Sequence, residues 1–106
     1  MTKFAQQVLA VVSAIPIGQV STYKIVADLS GYPRSARAVG LVLKKNKFHF
    51  LSNGRKKIPC HRVIKSNGQI GGFSLGFEKK KQLLHFEGLI IKNNRINNFE
   101  QKLYYK

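Results

Sequence analysis

A chain of 106 residues with one Cys, nineteen Lys and Arg and four Asp and Glu has room for one hydrophobic core and not two, so a single domain over 1–106 is expected. Its formal charge of +15 excludes the balance of an ordinary metabolic enzyme and asks for a polyanionic partner; without a long apolar span or a continuous basic amphipathic helix, nucleic acid fits better than a membrane. One cysteine makes neither an internal disulfide nor a Cys-rich zinc site, which points to a reducing, cytoplasmic setting and to a thiol that is either buried structure or chemistry.

In chain order, Phe4, Val8, Val11, Val12 and Ile15 recur on one helical face, predicting a helix from an N-cap at Thr2 to Ile15, where Pro16 and Gly18 stop it. Gln19 to Ser21 reads as a short extended piece. Thr22 then caps a helix Tyr23 to Leu29, closed by Ser30-Gly31. After Tyr32-Pro33 a third helix begins near Ser35, with Ala36, Val39, Gly40 and Leu43 on its apolar side. Two short helices joined by a tight turn containing glycine outline a helix-turn-helix, whose second helix carries Arg34 and Arg37 at its start and Lys44 and Lys45 at its end. The same pattern also fits an ordinary helical hairpin with a solvated basic rim.

From Asn46 to Lys57 the chain reads as a basic connection with a turn at Ser52-Asn53-Gly54, leading into Ile58 to Ile64 and a second turn at Ser66-Asn67-Gly68. Gly71-Gly72 and Gly76 frame a loop around Phe73 and Ser74. A last helix is predicted over Glu78 to Glu87, with Leu83, Leu84 and Phe86 as core candidates and Gly88 ending it. Leu89 to Ile96 resembles a small hairpin or two short extended pieces, and the polar composition of 97–106 predicts a flexible tail. The fold class is therefore mainly α with short β pieces.

Cys60 precedes His61, and neighbouring side chains in an extended segment point to opposite faces, so the two can cooperate only across a sharp bend. Pro59 restrains Ile58 to extended geometry and makes such a bend reasonable. A cysteine beside apolar residues is often buried structure and a lone histidine often an interior hydrogen-bonding group. A thiol near a basic group ionises more readily, and the thiolate is the form that attacks carbon.

The run Pro59-Cys60-His61-Arg62-Val63-Ile64 resembles the active-site signature of the O6-alkylguanine-DNA alkyltransferases. The likeness continues through Gly18-Gln19-Val20-Ser21-Thr22-Tyr23, Gly31-Tyr32-Pro33, Ala36-Arg37-Ala38-Val39-Gly40 and Asn46. Downstream it takes in Gly68, Gly71, Phe73-Ser74, Gly76, Lys81, Leu83-Leu84 and Glu87-Gly88, in the family's order over roughly residues 4 to 96. The resemblance implies a winged-helix-like helix-turn-helix catalytic domain without the separate N-terminal domain of many members, monomeric and without cofactor or metal.

The resemblance further implies that Cys60 accepts an alkyl group irreversibly from O6-alkylguanine, that His61 deprotonates it through a water, that Glu87 orients His61 and that Asn46 steadies the turn. Tyr23, Val63, Phe73 and Ser74 would line the guanine pocket. Thr22, Tyr23, Ser35, Ala36, Arg37, Lys44 and Ser66 would meet double-stranded DNA at the minor groove, with Tyr23 pressing on a phosphate and Arg37 filling the gap left by the flipped base. Phe73 stands where many members carry tyrosine, and the connection from Asn46 to Cys60 is longer than usual. Two other readings are an alkyltransferase-like protein, which binds the lesion for another pathway and typically lacks the acceptor cysteine, and a helix-turn-helix regulator, which leaves the signature and Glu87 unexplained.

Overall fold

The computed structural model describes residues 2–45, 58–72 and 76–105. Helix α1 spans Lys3–Ser13, and the Thr2 hydroxyl accepts from the Ala5 N–H at 3.0 Å, satisfying one of the donors a helix start leaves over. Helix α2, Tyr23–Leu29, is capped in the same way by Thr22, whose Oγ1 accepts from the Ile25 N–H at 3.0 Å. A turn through Gly31, at φ +90°, leads to α3, Ala36–Lys44; Ser35 occupies its N-cap position without a side-chain bond to the helix. Phe4 meets Tyr32 edge to face, tying α1 to that turn.

These three helices close on one core. Val8, Leu9, Val12 and Ile15 from the first, Val26 and Ala27 from the second and Val39 and Leu43 from the third pack together with Ile58, Cys60 and Val63. The site cysteine is thus part of the packing between the helix-turn-helix and α1.

Strand β1, Ser21–Thr22, runs parallel to β2, Val63–Ile64, with Ser21 opposite Val63 and Thr22 opposite Ile64. This register sets the start of α2 beside the segment that follows the cysteine. A second core gathers below it from Val20, Ile64, Ile70, Leu84, Leu89 and Ile96. Helix α4, Phe77–Phe86, contributes Leu84 to it and also buries Leu83, but Phe86, expected in the core, is 85% exposed. The inward stripe is set by residues 80, 83, 84 and 87, and position 86 falls about 100° to its side.

Strands β3, Ile91–Lys92, and β4, Arg95–Ile96, pair as a hairpin, the first of the two arrangements the segment allowed. Asn93 and Asn94 both take positive φ, 53° and 61°, which a two-residue turn matched to strand twist requires and which asparagine tolerates. Beyond it the structure differs from a flexible tail. Phe99–Lys102 is a 3-10 turn, the Val20 N–H donates to the Lys102 carbonyl at 2.9 Å and the Tyr104 N–H donates to the Val20 carbonyl at 2.7 Å. Phe99 and Leu103 pack on the second core and Tyr104 on the first. Three apolar anchors in a polar stretch thus join backbone pairing to Val20, just ahead of β1, in holding the tail.

Candidate functional site

The bend that a Cys-His pair needs is built by the backbone. Pro59 sits at φ −80°, ψ 62°, and the Cys60 N–H donates to the Ile58 carbonyl at 2.8 Å, an inverse γ-turn. It passes directly into a 3-10 turn, Cys60–Arg62, where the Arg62 N–H donates to the Pro59 carbonyl and the Val63 N–H to the Cys60 carbonyl. The turn reverses the chain within five residues and lies against α1 and α4. Cys60 is 4% exposed and His61 fully buried.

His61 and Arg62 both turn to Glu87, the C-cap residue of α4. His61 Nε2 lies 2.9 Å from Glu87 Oε2; Arg62 donates from Nε to Oε1 at 2.9 Å and from its terminal nitrogen to Oε2 at 2.6 Å. The other end of the guanidinium donates to the Ile15 carbonyl at 2.8 Å, so one arginine joins the segment that follows α1, the cysteine turn and the end of α4. Burial would raise the Glu87 carboxyl, but hydrogen bonds from His61 and Arg62, and the charges behind them, hold it down at about 2.

Lys80 enters from the inner face of α4 and is completely buried. Its ammonium donates to the Val63 carbonyl at 2.7 Å and the Gly72 carbonyl at 2.9 Å and lies 5.9 Å from the centre of the Tyr23 ring. Burial lowers its pKa to about 7, against the field of Cys60, which favours the charged form. Burial, then the same cysteine, raises the Tyr23 phenol. Cys60, Tyr23 and Lys80 therefore share one electrostatic environment above the β1–β2 pair. The sequence likeness pointed to Lys81; the buried lysine is its neighbour. The signal lay in helical spacing, since Lys80 falls three and four residues before Leu83 and Leu84.

The structure brings together Cys60, His61, Glu87, Val63 and Tyr23. Val63 is buried in β2 and its carbonyl anchors Lys80; Tyr23 opens α2, half-buried, its hydroxyl near Gly71. Thr22 is buried as the α2 cap. Ser35 and Ala36 are half-buried at the start of α3, while Arg37 beside them, Lys44 at the helix end and Ser66 in the turn after β2 are exposed. Asn46, Phe73 and Ser74 lie outside the described residues. Arg62, named in the signature without a role, proves to be the main partner of Glu87.

Fold and cluster together define a helix-turn-helix domain with a buried cysteine-centred site beneath its motif. A profile described as the DNA binding domain of 6-O-methylguanine DNA methyltransferase matches residues 3–89, and the chain belongs to that family. A methylated-DNA–protein-cysteine methyltransferase of Saccharolobus islandicus is 47% identical over 88 residues, covering 83% of this chain and 52% of its own. The chain spans between 29 and 52% of the length of the curated relatives it matches. Among solved structures, Mycobacterium tuberculosis OGT in complex with DNA superposes with a TM-score of 0.75 at 36% identity, covering 83% of this chain and 50% of that one. Schizosaccharomyces pombe Atl1, bound to damaged DNA containing O6-carboxymethylguanine, superposes at 0.80 and 31% identity over 100% of this chain and 98% of its own. No helix among the described residues is long and apolar enough to cross a membrane.

Proposed function

We propose that this domain repairs DNA by direct reversal, transferring an alkyl group from O6-alkylguanine to Cys60 once per molecule. The observation that carries it is the Glu87–His61 contact at 2.9 Å beside a cysteine held in a reversing turn. Glu87 fixes His61 through Nε2, leaving Nδ1 as the nitrogen that takes the thiol proton through a water. Cys60 Sγ then attacks the alkyl carbon: the S–C bond forms as the C–O6 bond breaks, the electron pair stays on guanine, and the proton lost by the thiol balances the one guanine regains. Lys80 favours the thiolate electrostatically while holding the Val63 carbonyl in place.

The duplex side of the reading rests on exposed Arg37 at the start of α3 and Tyr23 at the start of α2. A base inside a helix is out of reach of a buried thiol, so the nucleotide must turn out. Tyr23 presses on its phosphate, and Arg37 fills the vacated stack from the minor groove. Asn46, Phe73 and Ser74 complete the site by family likeness, with Ser66 and Lys44 contacting the backbone.

The end-to-end likeness to Atl1 favours a second reading, a lesion-binding protein that presents alkylguanine to another pathway. Incubation with a duplex containing O6-methylguanine separates the two. Transfer gives an intact mass higher by one methylene unit per chain, mapped to Cys60. Tight binding of damaged DNA with no change of mass leaves the binding protein as the answer.

A further inference from the structure

The β3–β4 hairpin carries Lys92-Asn93-Asn94-Arg95, all exposed, and nothing in the alkyl-transfer reading uses it. It is held rigidly against the turn that follows β2. The Ile70 N–H donates to the Asn94 carbonyl at 3.0 Å, the Ile96 N–H donates to the Gly68 carbonyl at 2.9 Å, and Arg95 bridges Gln69 across an antiparallel contact. The fit at Gly68 is close: a Cβ there would come within 3.1 Å of Arg95 Cγ and 2.6 Å of the Phe99 ring. Arg95 is therefore held beside Gly68 and Gln69, and exposed Ser66 and Lys65 precede them in the chain.

The same geometry links the hairpin to the helix-turn-helix. Thr22, the cap of α2, pairs with Ile64; Lys65 and Gln69 then close the turn through a 2.9 Å bond, and Gln69 meets Arg95. At one interstrand spacing of about 5 Å per step, three such steps separate Arg95 from the start of α2. Its cations are also uncommitted to carboxylates. Among the described residues the ion pairs both use Glu87; Glu100 lines the same shallow groove as Lys92 and Arg95 without pairing with either.

We propose that this hairpin is a second phosphate-binding arm, in which Lys92 and Arg95 grip the DNA backbone beside the Ser66 turn and lengthen the contact made by α2 and α3. The arm reads charge and not sequence, so it acts on undamaged and damaged duplex alike. It rests on the alkyl-transfer reading for the orientation of the DNA.

The test is the salt dependence of binding to an undamaged duplex, followed by fluorescence anisotropy. Losing two phosphate contacts in Lys92→Gln/Arg95→Gln lowers the slope of log K against log salt by about 1.8. Reaction of Cys60 with free O6-benzylguanine stays at the parent rate, and Lys92→Arg/Arg95→Lys keeps the parent slope. A parent-like slope in the glutamine variant overturns the arm, as does a loss matched by slower reaction with the free base. If the parent transfers alkyl groups from duplex and only the slope prediction fails, the arm falls and the transfer reading stands. If the parent fails to bind duplex at all, both fall.

Discussion

Arg62 and Glu87 form a two-pronged ion pair, with contacts of 2.9 and 2.6 Å, and the carboxylate they share also accepts His61. The Arg62 and Glu87 side chains are 9 and 2% exposed, so this is a buried charge network whose members depend on one another. Arg62→Met removes the stronger partner and leaves a buried carboxylate that only His61 can compensate. The expected loss is about 3–5 kcal/mol, the usual cost of breaking a buried pair from one side, and chemical denaturation measures it.

Glu87 also makes stability depend on acid. Its carboxyl is held at about 2 in the folded protein and returns to the ordinary carboxylate range on unfolding. A depressed folded value stabilises the protein above the unfolded pKa, and that contribution is lost as the pH falls from about 4.5 towards 2, on the order of 3 kcal/mol in all. Urea midpoints recorded between pH 6 and pH 2 should fall steeply for the parent. Glu87→Gln, less stable at pH 6, should show a much flatter line; parallel lines for the two proteins would remove Glu87 as the source.

Lys80 works in the opposite window. With a folded value of about 7 against an ordinary value above 10, the unfolded chain binds the extra proton between those limits, so stability rises with pH from about 7 to 10 on its account. Lys80→Met removes that rise. It also takes away a charge that interacts with the thiol, and alkylation of Cys60 by O6-benzylguanine at pH 7 should slow by on the order of tenfold, the scale on which a neighbouring charge favours a thiolate. An unchanged rate would confine Lys80 to holding the Val63 and Gly72 carbonyls.

What could be read from the sequence follows the range of the forces involved. Thr2 and Thr22 as caps and the bend at Pro59-Cys60 are local backbone chemistry, and each stands where the residues indicated. Glu87 was legible because its partner lies in a signature. Arg62 as its main partner was not, since nothing near Arg62 in the chain marks a carboxylate 25 positions away. Lysine is almost never buried unless satisfied, which hid Lys80, and the carbonyls that satisfy it come from Val63 and Gly72. The parallel pairing of β1 with β2 and the docking of Tyr104 on Val20 are long-range contacts of two- and one-residue segments, too short to show a period.

Arg37 tests the duplex half of the proposal apart from the chemistry. It is exposed at the second position of α3. If it fills the gap of a flipped base, Arg37→Ala raises the cost of leaving the stack open, and repair of O6-methylguanine in duplex slows by at least about tenfold. Reaction with free O6-benzylguanine, which needs no flipping, is expected to proceed at the parent rate. Equal losses on both substrates would place the effect in the pocket and remove the flipping role.

Gly68 joins the turn after β2 to the hairpin and the tail, and it has two reasons to be glycine. Its φ of +90° is strained for any other residue, and a Cβ would stand 2.6 Å from the Phe99 ring. Gly68→Ala should therefore cost roughly 2–4 kcal/mol, conformational strain and overpacking together, and lower the thermal midpoint by about 10 °C or more. Gly72, where an added Cβ meets nothing within 4 Å, is the control, with Gly72→Ala expected within about 0.5 kcal/mol of the parent. Phe99→Ala in the Gly68→Ala background separates the two causes: relief of the clash makes the double variant more stable than the sum of the single losses. Strict additivity would assign the whole cost to the backbone, and the packing of the tail against this turn would then contribute nothing to it.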